Sequence, residues 1–296
     1  MDFTVFGLAR SGTTALANCI NLHPQIFCAN EFLGPEPSDD IVKSDFPGIF
    51  LDKRINLVKA EDNKRVFEKK QSIVKFGNKY PRNYAHLDRW SSSFPCIINI
   101  GIYRENLDFM SSWNLRAAEG SWPTGRIGVL GVIEQVSCWG RLIDLGSRSN
   151  TYVFSYNRLF RDDNKQYLKL ISALDMECST SLHAQFCKKY FAQKKVFEKK
   201  RIADSHGELS RDWFSVGSVD KIFYEYSGKS LSSMEDTEVR FIRDSVVSRL
   251  PGFIEHIYPM LGSDSREHLM TMRKLLSGTP YVGVEINALL KRLARQ

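Results

Sequence analysis

The chain has 296 residues, of which 43% are hydrophobic and 25% charged, and its formal net charge is +7 at pH 7. This composition allows a large buried core and predicts one domain over residues 1–296. No stretch approaches the roughly 20 apolar residues of a membrane span, and the N-terminus lacks a basic region followed by an apolar one, so we expect a cytoplasmic protein without a transmembrane segment.

The first elements in chain order are a strand, a turn and a helix. FTVF at residues 3–6 is apolar, GLARSGTT at residues 7–14 is a turn with two glycines, and TALANCINL at residues 14–22 has helical periodicity. His23 and Pro24 mark the end of that helix. Residues 32–55 are rich in proline, aspartate and glycine, which predicts a long loop, and long ordered loops are usually functional.

Strands and helices then alternate along the chain. The pattern predicts a helix from Pro81 to about Ser92, a strand at 96–103, helices at 105–118 and 127–145, a strand at 151–156 and a helix at about 164–174. Beyond Asp175 the sequence is mostly helical and charged, ending in an amphipathic helix near 284–294. Alternation of this kind predicts an α/β fold of three layers, with a mostly parallel central sheet, flanking helices and a helical C-terminal part.

GLARSGTT resembles a phosphate-binding loop without its lysine. A nucleotide-binding loop reads G-x-x-x-x-G-K followed by serine or threonine; Gly7 and Gly12 match its glycines, but Thr13 stands in the lysine position. Backbone N–H groups at the start of a helix bind anions, and the side chains of Arg10, Ser11, Thr13 and Thr14 would add donors. A tight strand-to-helix turn without a ligand is the alternative.

Two further strand ends carry polar residues. Arg104 follows the strand at 96–103, and Ser112 and Arg116 lie on the next helix, four residues apart and therefore on one face. Ligands of open α/β sheets bind at the carboxyl ends of strands, so we expect Arg104 near the first loop. An ordinary surface arginine is the alternative. Tyr156 closes the strand at 151–156, where its ring would either stack on a base or fill the core.

Together these motifs resemble the sulfotransferases that use 3′-phosphoadenosine 5′-phosphosulfate (PAPS), a P-loop-like family. ARSGTTALANCINLHPQI is similar to the family's RSGTT loop, which binds the 5′-phosphosulfate, and Arg104 and Ser112 stand like the arginine and serine that bind the 3′-phosphate. YVFSYNRLF resembles the family segment that places a tyrosine after a third strand. The resemblance extends over about residues 3–175. A later basic loop of the family has a candidate in residues 199–213, KKRIADSHGELSRDW.

The similarity to tyrosylprotein-type and bacterial members also implies catalytic residues. HPQIFCANE places Glu31, 21 residues after Arg10, where those enzymes have a glutamate regarded as the base. KFGNKYP places Lys79 two residues before a proline, where a family lysine contacts the transferred group. With Arg10 as a third catalytic residue, the loop and Lys79 would supply electrostatic stabilisation. His86 and His206 are alternative bases.

The resemblance implies transfer of a sulfuryl group from PAPS to a hydroxyl or amine. The acceptor stays open among small molecules, carbohydrates, lipids and peptides. Candidate walls of its pocket are residues 32–75 and 176–235. The rings of Trp113, Trp122 and Trp213 would either present flat faces to a sugar or phenol or pack in the core. We expect no metal and no nucleic-acid partner, and six scattered cysteines predict neither disulfides nor zinc. The oligomeric state is left open. The competing hypotheses are a degenerate P-loop kinase or NTPase and a non-catalytic protein that binds a nucleotide or an anionic glycan.

Overall fold

The computed structural model describes residues 1–33, 69, 71–118, 128–146, 150–191, 216–247 and 265–275, together with 287, 290 and 291. The chain divides into two compact units. Unit 1 comprises Met1–Tyr103, Leu145–Lys199 and Phe223–Ser233, and unit 2 comprises Arg104–Asp144, Lys200–Ile222 and Met234–Gln296. The single domain over residues 1–296 stays a prediction.

Unit 1 is built around a six-stranded sheet. Its strands are β1 (Phe3–Phe6), β2 (Ile26–Asn30), β3 (Lys75–Lys79), β4 (Ile98–Tyr103), β5 (Thr151–Ser155) and β6 (Lys229–Ser230). They lie in the order β2-β3-β1-β4-β5-β6. The first five run parallel, and β6 is antiparallel to β5. The predicted mostly parallel sheet is therefore confirmed, although the sequence analysis did not predict β2, β3 or β6 as strands.

The α-helices of the described residues are α1 (Thr13–Ile20), α2 (Leu87–Ser93), α3 (Asn106–Ala118), α4 (Gly128–Gly146), α5 (Gln166–Ala173), α6 (Thr180–Phe186), α7 (Val216–Glu225), α8 (Asp236–Val247) and α9 (Ser265–Leu275). Two 3₁₀ segments (Asn83–His86 and Leu231–Ser233) and two π-helical segments (Arg158–Asp162 and Cys187–Phe191) complete the helical elements. None of the helices in this part of the chain has the length and apolar character needed to cross a bilayer.

The prediction that a helix begins at Pro81 is wrong in its first residue. The N–H of Tyr80 donates to the carbonyl of Val5 at 3.0 Å, and the carbonyl of Pro81 accepts from the N–H of Gly7 at 3.2 Å. These two residues therefore continue the pairing with β1, and helical structure begins only at Asn83. Of the helix predicted near 284–294, the structure describes residues 287, 290 and 291, which are helical. Residues 34–55 of the predicted loop lie outside the described part of the chain.

Helices cover both faces of the sheet in unit 1. Alternate residues of β2 show the two sides: Ile26 and Cys28 belong to a core shared with residues of α1, α5 and α6, whereas Phe27 and Ala29 belong to a second core with Trp90 of α2. Burial on both faces explains why the strands read as continuous apolar runs. The predicted three-layer arrangement is confirmed for unit 1.

Candidate functional site

The carboxyl ends of the parallel strands in unit 1 carry most of the residues that the sequence singles out. The loop at residues 7–14 follows β1, Glu31 follows β2, Lys79 is the last residue of β3, and Tyr156 follows β5. Because parallel strands end at the same edge of a sheet, these residues lie along one edge, which is the edge where open α/β sheets bind ligands.

The two glycines of the loop are required by its geometry. Gly7 has φ +155° and a Cβ there would lie 2.6 Å from Ser11 Oγ and 2.8 Å from the carbonyl oxygen of Ile102. Gly12 has φ +106°, and a Cβ there would lie 2.4 Å from Cδ2 of Tyr156. The loop is therefore packed too tightly for a side chain at either position, and the ring of Tyr156 lies directly against it.

The donors of the loop divide into two groups. Both donors of Ser11 are used internally, because its N–H and its hydroxyl donate to the carbonyl of Leu8 at 3.0 and 2.7 Å. Helix α1 begins next, at Thr13, and no side chain caps its N-terminus at Gly12. The first N–H groups of a helix have no partner within the helix, so this end presents donors and the positive end of the helix dipole. Thr13 is buried and Thr14 is exposed.

Arg10 and Glu31 share an uncommon backbone conformation. Arg10 has φ +76° and Glu31 has φ +56°, in the left-handed region that residues with a Cβ adopt only at a cost. Arg10 is half-buried within the loop, between Gly7 and Gly12. Strain of this kind clusters at active sites and ligand clamps, where the surrounding structure holds it in place.

Glu31 and Lys79 form a close ion pair. Nζ of Lys79 lies 2.5 Å from Oε1 of Glu31, the lysine side chain being 2% exposed and the glutamate side chain 47% exposed. The pair is supported by the backbone, since the N–H of Glu31 donates to the carbonyl of Lys79 at 2.7 Å. The structure thus brings together two of the three residues predicted to be catalytic. The ammonium is held inside the protein, and the carboxylate extends towards solvent.

Asn78, which the sequence analysis missed, makes contacts next to this pair. Its buried carboxamide binds the backbone of Phe32 and Leu33, directly after Glu31. The signal that could have identified it is its position beside Lys79 in the segment KFGNKYP, since a buried asparagine in a strand needs partners for its amide.

Tyr156 is partly exposed at the end of β5. Its ring lies against Gly12, tilts against Phe160 with ring centroids 4.9 Å apart, and has the guanidinium carbon of Arg161 5.8 Å from its centroid. The ring therefore packs on the loop and is only partly exposed. This geometry is compatible with both functions that the sequence analysis considered.

Unit 2 contains Arg104, Ser112 and Arg116. Arg104 directly follows β4, and its carbonyl accepts from Nε2 of Gln135 at 2.8 Å; the same amide donates to Oδ1 of Asn106. Ser112 and Arg116 lie one turn apart on α3 and are both half-buried. The amide of Gln135 on α4 therefore links the side chain of Asn106 to the backbone of Arg104.

Some further candidates have structural partners or lie outside the described residues. Trp113 is buried and stacks on His268 with centroids 5.2 Å apart, which matches the core-packing alternative. His86 is half-buried at the end of the 3₁₀ segment. His206, Trp122, Trp213 and residues 199–213 are outside the described part of the chain. Across the residues that are described, no group of three or more His, Cys, Asp or Glu side chains is arranged to hold a metal ion.

Comparison with known proteins gives similarity at the level of structure. No protein-family model matches the sequence, and no curated protein matches it. A sulfotransferase from Alicyclobacillus acidocaldarius is similar in structure, with a TM-score of 0.40 and 14% identity over 68% of this chain and 97% of the other. A sulfotransferase from Mycobacterium avium has a TM-score of 0.40 and 13% identity over 64% of this chain and 67% of the other.

Proposed function

We propose that the protein is a PAPS-dependent sulfotransferase, which transfers a sulfuryl group to a hydroxyl or amine acceptor and releases adenosine 3′,5′-bisphosphate. The observation that carries the proposal is the ion pair of Glu31 and Lys79 at the edge of the sheet that also bears the loop at residues 7–14. A base, a cation and an anion-binding loop at one sheet edge are the parts that such a transfer requires.

The proposed donor-binding residues divide into those of the loop and those that only the resemblance assigns. The first N–H groups of α1, with Arg10, Thr13 and Thr14, bind the 5′-phosphosulfate, whereas Ser11 shapes the loop because both of its donors go to Leu8. By resemblance, Arg104 and Ser112 bind the 3′-phosphate, with Arg116 on the same face of α3 as Ser112. Tyr156 offers its ring to the adenine.

The reaction needs a base that takes the proton of the sulfuryl acceptor, and positive groups that stabilise the negative charge growing on the leaving phosphate. The acceptor oxygen or nitrogen forms a bond to sulfur while the bond between sulfur and the bridging phosphate oxygen breaks, and the acceptor's proton passes to Glu31. Negative charge then grows on the leaving phosphate, where Arg10, the loop N–H groups and Lys79 stabilise it. Transfers of this type pass through a loose transition state, so positioning and electrostatics carry most of the catalysis.

The two oxygens of Glu31 can have different tasks. Oε1 is held by the ammonium of Lys79, whereas no hydrogen bond to Oε2 is present among the described residues. The partly exposed side chain lets Oε2 reach an acceptor, while the buried lysine fixes the orientation of the carboxylate. Lys79 therefore orients the base, and by resemblance it also contacts the transferred group.

Nucleotide binding distinguishes the proposal from its alternatives. Adenosine 3′,5′-bisphosphate should raise the melting temperature without magnesium, since a ligand that binds only the folded state stabilises it. Stabilisation by ATP with magnesium, and not by the bisphosphate, would favour a degenerate kinase or NTPase. Binding of the bisphosphate without transfer from labelled PAPS to any acceptor or to water would favour a binding protein.

Glu31→Gln tests the assigned base. We expect bisphosphate binding to stay within about twofold and sulfuryl transfer to fall by about 10²- to 10⁴-fold, which is the usual contribution of a general base. Glu177→Gln is the matched control, because Glu177 is an exposed residue of unit 1 that contacts His23 through its backbone carbonyl and not through its carboxylate. Near-normal transfer by Glu31→Gln would reassign the base.

A further inference from the structure

One buried side chain holds the two residues that follow Glu31. Oδ1 of Asn78 accepts hydrogen bonds from the N–H groups of Phe32 and Leu33, both at 3.2 Å, and Nδ2 donates to the carbonyl of Leu33 at 3.3 Å. A carboxamide has one acceptor oxygen and two donor hydrogens. Both its oxygen and its nitrogen are thus engaged by the same short segment, so Asn78 clamps the backbone immediately after Glu31.

The clamp acts on a strained residue. Glu31 has φ +56°, and a residue with a Cβ keeps that conformation only where its surroundings impose it. On one side, its N–H is bound by the carbonyl of Lys79. On the other, Asn78 binds the next two residues, and the side chain of Leu33 is buried in the core that contains Trp90. The backbone of Glu31 is therefore fixed from both directions.

Asn78 and Lys79, adjacent residues of β3, hold Glu31 and its neighbouring backbone from opposite faces of the sheet. Asn78 is in register with Thr4 and Lys79 with Val5, and successive side chains of a strand point to opposite faces. Lys79 binds the carboxylate of Glu31, and Asn78 binds the backbone that carries it. A single dipeptide thus orients both the side chain and the main chain of Glu31.

We propose that Asn78 is a positioning residue for Glu31, whose carboxamide holds the turn at residues 31–33 in the conformation that directs the carboxylate to Lys79. The inference rests on the proposed function only in giving Glu31 the proton transfer. A misplacement of about 1 Å at a reacting group can cost about 10²-fold in rate, so loss of the clamp should lower kcat rather than nucleotide affinity.

Asn99 provides a matched control. It is a buried asparagine on β4 and is in register with Thr4, the same residue that is in register with Asn78, so both asparagines lie on one face of the sheet. Its carboxamide contacts Thr151 at 3.4 Å and makes no contact with the turn at residues 31–33. Asn99→Ala therefore removes a buried carboxamide from the same face without touching the clamp.

The first measurement is amide hydrogen exchange of the folded protein. Asn78→Ala should speed exchange at Phe32 and Leu33 by about tenfold, because both N–H groups lose their acceptor, and Asn99→Ala should leave them unchanged. Asn78→Asp keeps an acceptor oxygen and should retain most of the protection. Unchanged exchange at both residues in Asn78→Ala would overturn the proposal, whether or not the protein is a sulfotransferase.

The second measurement is release of adenosine 3′,5′-bisphosphate from PAPS with water as the acceptor, which requires no knowledge of the natural one. We expect kcat to fall by about 10²-fold in Asn78→Ala, with the KM for PAPS within about twofold, and a partial return of kcat in Asn78→Asp. An unchanged kcat would overturn the positioning role, as would equal losses of kcat and affinity in Asn78→Ala and Asn99→Ala. A wild-type protein that transfers the sulfuryl group neither to water nor to any acceptor tested refutes the proposed function, and the exchange data then decide whether Asn78 holds the turn.

Discussion

The left-handed backbone at Glu31 predicts an unusual order of stability between two substitutions. Glu31→Ala and Glu31→Gly both remove the carboxylate, so both leave Lys79 buried without its partner. They differ only in the Cβ at a residue with φ +56°. An alanine there keeps the steric cost of the left-handed region, whereas glycine adopts it freely.

The expected difference can be worked out from two opposing terms. A residue with a Cβ costs about 1–2 kcal/mol in the left-handed region, and glycine loses about 0.4–1 kcal/mol through its more flexible unfolded chain. Glu31→Gly should therefore be more stable than Glu31→Ala by about 1 kcal/mol. With a slope near 2 kcal/mol per molar, this places its urea midpoint about 0.5 M higher.

Urea unfolding followed by tryptophan fluorescence measures the difference. Leu168 supplies the control pair, because it is 37% exposed within α5, where Leu168→Gly should be about 1 kcal/mol less stable than Leu168→Ala. Glycine is thus predicted to be more stable than alanine at position 31 and less stable than alanine at position 168. If Glu31→Gly is no more stable than Glu31→Ala, the backbone of residue 31 is not strained. In that case Asn78 is not needed to hold Glu31 in its left-handed conformation.

Three further predictions follow from the structure. Lys79→Met should lower kcat for PAPS by about 10²- to 10³-fold. Its stability should be nearly unchanged, because an apolar side chain replaces the buried ammonium and the remaining carboxylate of Glu31 is 47% exposed and therefore solvated. Lys75→Met, at the other end of β3 in an ion pair with Asp175, should leave kcat unchanged. Burial lowers the pKa of His23 in the folded protein, and the charge of Lys69 lowers it further, so below about pH 6.5 the unfolded chain binds more protons than the folded one. The free energy of unfolding should therefore fall as the pH is lowered from about 7.5 to 5. Urea midpoints measure this fall, which should be smaller in His23→Gln. Cys96 is exposed and should react with a thiol reagent in the native protein, whereas Cys19, whose pKa is raised by burial, should react only after unfolding; mass spectrometry of the labelled peptides distinguishes them.

The elements that the sequence predicted correctly are those whose pattern is local. β1, β4 and β5 are continuous runs of apolar and β-branched residues, and such runs indicate strands buried on both faces. β3 reads KFGNK and carries no such pattern. Its polar residues are satisfied by distant ones, as Lys79 is by Glu31, and Gly77 is required because the ring of Phe3 would lie 2.3 Å from a Cβ there. These are long-range contacts, which a local pattern cannot contain.

The candidate site shows the same division. The sequence identified the loop glycines by their spacing, and Glu31 and Lys79 only through the resemblance to a known family. It did not show that the hydroxyl of Ser11 is used within the loop, because that depends on how residues 8–11 fold back. It also missed Asn78, whose partners lie 45 and 46 residues earlier in the chain.

Backbone strain selects two of the proposed catalytic residues independently of any sequence motif. Three non-glycine residues in the described part of the chain have positive φ: Arg10, Glu31 and Asp175. Asp175 ends a helical turn after α5, and aspartate is among the residues that tolerate this conformation. Arginine and glutamate have no such tolerance, and glycine would be the less strained choice at both positions. This strain, at the sheet edge they share, supports the catalytic roles that the proposed function gives to their side chains.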